Sequence, residues 1–207
     1  GDLEPLKVWE NEIFNRSLGT VYALGVPMPA TLPETGVRID GSGEVQDGNG
    51  FPISSRLVLT DASVRLAGEV LARDAGRSMV VLRTPPGPLR AIERMTGIYD
   101  DGWSTTPFAY TRFACTGGTV VVTMRSDATL RQQPVTVMPT VNGAAQGPVS
   151  VPPSGDVRVL TDLVPVDGAC TVSYAVDPTT IPQQANGSTD DRPLGVIVRG
   201  FSYQPPA

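Results

Sequence analysis

The residues best suited to chemistry in this chain gather in one stretch, 97–113, which holds Tyr99, Asp100, Asp101, Trp103, Tyr110 and Arg112. Aromatic faces bury the apolar C–H patch of a sugar ring, and carboxylates and guanidinium groups hydrogen-bond its hydroxyls, so the mixture reads as a carbohydrate-handling surface. On that reading Trp103 stacks on the sugar, while Tyr99, Asp101, Tyr110 and Arg112 bond its hydroxyls. The competing reading makes Trp103 and Tyr99 core residues at a strand end.

Other chemistries are excluded by what the chain lacks. It has no histidine, which removes Ser-His-Asp and Cys-His nucleophile systems, His-ligated zinc and the usual general base near neutrality. Hydrolysis would need two carboxylates facing each other about 5–9 Å apart. Asp100 and Asp101 are sequence neighbours that point to opposite sides of a strand or turn, a poor acid and base pair. The net charge is −5, from 16 basic and 21 acidic residues, with no basic cluster, so nucleic acid is not an expected partner.

Three acidic groups stand out: Asp100–Asp101, Asp190–Asp191, and Asp40, Glu44 and Asp47 in a Gly-rich loop. None has EF-hand spacing. Turn carboxylates together with backbone carbonyls suit a structural Ca²⁺, and Asp100 and Asp191 are the candidate ligands; the alternative is the ordinary preference of Asp for turns. Cys115 and Cys170, the two cysteines, each sit in a strand-like context without metal spacing. A disulfide between two strands is the leading expectation and implies an oxidising compartment, against two unpaired buried thiols in a cytosolic protein. Asn15–Ser17 and Asn186–Ser188 fit the N-glycosylation pattern, which is frequent by chance.

The elements that must position these groups are mostly strands. Twenty-two Gly and 20 Pro in 207 residues call for many turns and few long helices. One amphipathic helix is expected over Glu4–Ser17, with Leu6, Trp9 and Ile13 on one stripe and Gly19 beyond its end. A short strand Thr20–Leu24 follows, then a loop-rich region to Asn49 with a short strand at Val37–Ile39. From residue 56 short strands recur between turns: Arg56–Thr60, Ser63–Leu71, Ser78–Arg83, Leu89–Ile92, Phe108–Cys115, Thr119–Met124, Pro134–Met138, Asp156–Leu160, Ala169–Val176 and Leu194–Phe201. Val120–Val122 is apolar on both faces and should be central, whereas Asn142–Gly143 and Pro152–Gly155 are turn material. The pattern predicts an all-β chain, an antiparallel β-sandwich of jelly-roll type over 56–207, with 1–55 packing on it as a helix and loop-rich segment. No apolar run reaches the roughly 20 residues of a membrane span.

Trp9–Tyr22, Gly97–Trp103 and Asp190–Val198, taken together, resemble the extracytoplasmic C-terminal region of bacterial, especially actinobacterial, integral-membrane glycosyltransferases that use polyprenyl-phosphate sugars, such as arabinofuranosyltransferases. Asp101, Gly102 and Trp103 match that group's turn, and Asp191, Arg192, Leu194 and Gly195 its closing strand; the Gly41–Gly50 loop matches nothing in it. The resemblance implies a domain similar to carbohydrate-binding modules, outside the cytoplasmic membrane and joined to a membrane-embedded half of the same polypeptide that carries the catalysis. Its partner would be a cell-envelope polysaccharide of arabinan, mannan or galactan type. In this light the acid and Arg192 at the closing strand are either a structural salt bridge or a sugar contact. The rival functions are a secreted carboxylate-dependent glycoside hydrolase and a purely structural docking module.

Overall fold

The computed structural model describes residues 36–74 and 79–206; the expected helix at Glu4–Ser17 and strand at Thr20–Leu24 lie outside the described residues. The described chain forms two compact units, one of residues up to Asp40 with Glu44–Ala91 and one of Gly41–Gly43 with residues 92–206. The strands between residues 57 and 83 fall in the first unit, and those from Ser104 onward in the second. No helix among the described residues is long and apolar enough to cross a membrane.

In the first unit β1 (Arg38–Ile39) pairs antiparallel with β2 (Val45–Gln46). β3 (Leu57–Asp61) is followed by β4 (Val64–Leu66), β5 (Glu69–Asp74) and β6 (Met79–Arg83), and β6 lies between β3 and β5 in a three-stranded sheet. The single strand expected over Ser63–Leu71 is thus two. Gly68 lies at the break, where a Cβ would sit 2.6 Å from the Arg83 carbonyl oxygen, an approach only glycine permits. The acids of the Gly-rich loop close their own turns. Asp40 Oδ1 accepts the Glu44 N–H at 2.9 Å, and Asp47 Oδ1 accepts the N–H groups of Asn49 and Phe51, both at 2.9 Å.

The second unit is an antiparallel sandwich built from β7 (Ala91–Ile98), β8 (Ser104–Arg112), β9 (Gly118–Arg125), β10 (Val135–Val141), β11 (Ala144–Ala145), β12 (Val149–Val151), β13 (Asp156–Leu163), β14 (Cys170–Asp177) and β15 (Ile197–Gln204), with a five-residue helix α1 (Pro182–Asn186). One sheet runs β11-β10-β14-β8-β7, with β12 also on β10; the other runs β13-β9-β15. From β8 onward the chain alternates between them: β8, β10 and β14 in the first sheet, β9, β13 and β15 in the second. Alternating sequences produce this directly. In β14, Cys170, Val172, Tyr174 and Val176 are buried while Thr171, Ala175 and Asp177 are exposed, the period-2 signature of a sheet with one wet face.

Side chains of both sheets share one core, including Phe108, Tyr110, Val122, Met124, Val137, Val172 and Tyr174. Phe201 of β15 crosses the interior to stack on Tyr110 at 5.1 Å between ring centroids, and Phe108 stacks on Tyr174 at 4.9 Å. β9 is central, as its sequence predicts: Val120, Val121 and Val122 are 0%, 3% and 0% exposed. Cys115 and Cys170 form the expected disulfide, fastening the end of β8 to the start of β14. The Asn142–Gly143 turn also forms as expected, both residues at positive φ (49° and 83°), joining β10 to β11.

Candidate functional site

The stretch 97–113 is less of a turn than its composition predicts. β7 continues to Ile98 because Gly97, at φ 72°, takes up a bulge between Thr96 and Ile98 against β8. The remaining turn spans Tyr99–Trp103, closed by the Tyr99 N–H on the Trp103 carbonyl and the Gly102 N–H on the Tyr99 carbonyl, each 2.8 Å.

The closing segment lies alongside this turn. Trp103 and Ile197 form an isolated antiparallel bridge. The Ser104 N–H donates to the Val196 carbonyl, the Gly195 N–H to the Ser104 carbonyl and the Val198 N–H to the Gly102 carbonyl, each at 2.8 Å. The fully buried Ser104 hydroxyl also accepts the Val196 N–H at 3.0 Å. Gly195 has a steric reason, since a Cβ there would lie 2.5 Å from Ser104 Oγ. The two sequence patterns around Trp103 and Arg192 are therefore neighbouring strands in space.

Arg192 ties them together through side chains. Its Nη2 donates to Asp101 Oδ2 at 2.6 Å and to Asp190 Oδ2 at 2.7 Å, while Nε donates to Asp190 Oδ1 at 2.9 Å. The guanidinium lies 4.6 Å above the Tyr99 ring centroid, a cation–π contact. Asp101 Oδ1 accepts the Trp103 N–H at 3.3 Å, so the same carboxylate that holds Arg192 also braces the Trp103 backbone. Hydrogen bonds from Arg192 hold the Asp190 carboxyl down at about 2, and the bonds to Asp190 and Asp101 push the Arg192 guanidinium above its ordinary value. The result is an ion-paired clamp beside a half-buried Trp103 and a half-buried Tyr99.

Four of the expected residues are redistributed by this geometry. Tyr110 is 1% exposed, its ring in the core and its hydroxyl donating to Glu93 Oε2 at 2.8 Å; it is not a surface contact. Arg112 pairs with Glu93 at 3.4 Å and lies 4.6 Å over the Tyr203 ring. It stands at the far end of β8, about 30 Å along the strand from Trp103 at the usual rise per residue, so the two do not share a site. Asp100 and Asp191 are both exposed, and among the described residues no three His, Cys, Asp or Glu side chains gather to hold a metal ion. Asp190, rather than its neighbour Asp191, is the Arg192 partner.

Sequence reasoning missed Glu93, whose carboxylate fixes both Tyr110 and Arg112, and Arg131, whose Nη groups donate to the carbonyls of Pro178 (2.9 Å) and Leu194 (2.8 Å). Burial lowers the Arg131 pKa from its ordinary value, although Asp127 partly opposes this. Neither residue carries a local signal, because the partners lie 19 and 17 positions away for Glu93, and 47 and 63 away for Arg131. Compared with known proteins, the chain matches no family model, no curated protein and no solved structure.

Proposed function

We propose that the 92–206 unit is a non-catalytic glycan-binding domain that works outside the cytoplasmic membrane, positioning a growing cell-envelope polysaccharide for a membrane-embedded glycosyltransferase half. The observation that carries the proposal is a partly exposed Trp103 whose backbone is pinned on both sides, by the Ile197 bridge and by Asp101 held on Arg192. A preorganised aromatic platform loses little freedom on binding a sugar face. In the clamp beside it the two carboxylates of Asp101 and Asp190 share one guanidinium, that of Arg192, which favours neutral sugars such as arabinan, mannan or galactan over anionic ones. The Cys115–Cys170 bond supports an oxidising, extracytoplasmic location.

Hydrolysis is the weaker reading of the same residues. A glycosidase acid must hold its proton near neutrality, its pKa raised by its surroundings. Asp190 is driven the opposite way, to about 2, by Arg192.

Titration of the chain with arabinan, mannan and galactan fragments, followed by isothermal calorimetry, tests the proposal. A single site of roughly millimolar affinity corresponds to about 4 kcal/mol, of which one buried aromatic face contributes about 1–2 kcal/mol and hydrogen bonds the rest, so Trp103→Ala should weaken binding about tenfold. No saturable heat with any of the three at millimolar ligand, or an unchanged affinity in Trp103→Ala, refutes it.

A further inference from the structure

The second sheet of the 92–206 unit has two edge strands, and they are not alike. β15 carries a bulge between Val198 and Gly200, an irregularity that discourages further pairing. β13 pairs with β9 without interruption over all eight residues, Asp156↔Arg125 through Leu163↔Gly118. Among the described residues nothing pairs with its other edge. With respect to the described residues, that edge offers a full row of backbone donors and acceptors on a regular strand.

The outward side chains of β13 are Asp156, Arg158, Leu160 and Asp162, all exposed, alternating with buried Val159, Thr161 and Leu163. Leu160, in the middle of this edge strand, is 64% exposed. Arg158 has no ion-pair partner among the described residues, and Asp162 accepts only the Thr119 hydroxyl there, at 2.8 Å. A cation two positions before an exposed leucine and a carboxylate two positions after it make a self-complementary row.

We infer that β13 is a homodimerisation edge: two copies of this chain pair antiparallel through it about a two-fold axis at Leu160, joining their three-stranded sheets into one of six. In this register Leu160 meets Leu160 of the second copy, and Arg158 meets Asp162 twice over, an isologous contact in which each copy supplies the same patch. The pattern also rejects the alternatives. Sliding by two residues sets Asp156 against Asp162 and Arg158 against Leu160, or in the other direction Leu160 against Asp162. Sliding by four sets Arg158 against Arg158 or Asp162 against Asp162. Odd slips turn the outward row of one copy toward the inward row of the other. One register is favoured by charge, by the leucine pair and by the pleat together. The inference stands independently of the glycan reading, since Trp103 is not on this strand.

Sedimentation equilibrium of the whole chain from about 1 μM to about 1 mM tests it, with far-UV circular dichroism as the check on folding. The wild type should show a concentration-dependent monomer–dimer equilibrium. Arg158→Asp or Asp162→Arg alone places two like-charge pairs across the axis and should weaken dimerisation about tenfold. The double exchange Arg158→Asp with Asp162→Arg restores both attractive pairs and should return the affinity to within about threefold of wild type. Leu160→Arg, at a position exposed enough to spare the fold, should also give monomer. A wild type that stays monomeric throughout, single reversals that leave the dimer intact, or a folded double exchange that does not recover, each overturns the inference.

Discussion

Removal of the Cys115–Cys170 bond by Cys115→Ala with Cys170→Ala should cost about 4 kcal/mol of stability in the 92–206 unit. The bridge closes a loop of 55 residues, and the entropy withdrawn from the unfolded chain by a loop of that size corresponds to about 4 kcal/mol at 25 °C. The folded state should change little. Cys170 is already held in register opposite Arg112 by the β8–β14 ladder, and both sulfurs are buried, at 5% and 0% exposure. Alanine leaves no hydroxyl to satisfy in their place. Because the effect acts on the unfolded chain, its signature is specific: a lower urea midpoint together with a larger m-value, since the uncrosslinked chain exposes more surface. In a Trp9→Phe background Trp103 becomes the sole tryptophan, and its fluorescence follows this unit alone. With a urea m-value of about 1.5 kcal/mol/M the midpoint should fall by about 2.5 M. A loss below about 1 kcal/mol with an unchanged m-value would refute the reasoning, because it would mean that the unfolded chain gains almost no freedom when the bond is cut.

The Arg192 clamp should make the unit acid-labile in a defined window. Asp190 has its carboxyl held down at about 2, below its ordinary value, by the hydrogen bonds from Arg192. The unfolded state therefore binds the extra proton first, and the stabilisation is complete above pH 4 and lost as the pH falls toward 2. Urea midpoints measured between pH 5 and pH 2 should drop in the wild type and drop less in Asp190→Asn; parallel curves would contradict this. Gly97→Ala should cost about 2 kcal/mol or more, since the residue sits at φ 72° and a Cβ would lie 2.6 Å from both the Pro107 carbonyl oxygen and Thr105 Oγ1. Thermal unfolding checks it, and an unchanged midpoint would show that the bulge relaxes at no cost.

Much of the sandwich is legible in sequence because its information is local. β6, β9, β13 and β14 begin within one residue of where alternation or β-branched runs place them. β9 declares its central position through Val120–Val122, which no edge strand with one wet face would need. The cysteines pair because each lies in a strand context and neither has another thiol to choose. The misses have a common cause. β7 was legible only to Ile92, beyond which Glu93, Arg94 and Thr96 interrupt the apolar run; there Glu93 faces Tyr110 and Arg112, and Gly97 absorbs a bulge. Tyr110 looked like a ligand contact because sequence shows an aromatic beside Thr111 and Arg112 but not which face of β8 is buried. The clamp illustrates the same limit. Arg192 beside acids left a salt bridge and a sugar contact both open, and the choice of Asp190 over Asp191, with the reach across 91 positions to Asp101, depends on strand adjacency that no local pattern encodes.

The position of β9 in its sheet sets a timetable for the nascent chain. β9 is complete at Arg125, but one of its two partners ends at Leu163 and the other at Gln204. At synthesis rates of roughly 5–20 residues per second, this central strand waits on the order of 4–16 s for its second neighbour. During that interval Val120, Val121 and Val122 present an uncovered edge to any other unfinished chain, the condition under which strands aggregate. The exposure is a matter of chain order rather than of final stability: a circular permutation that made β15 before β9 would leave every contact of the finished sandwich in place and remove most of the wait.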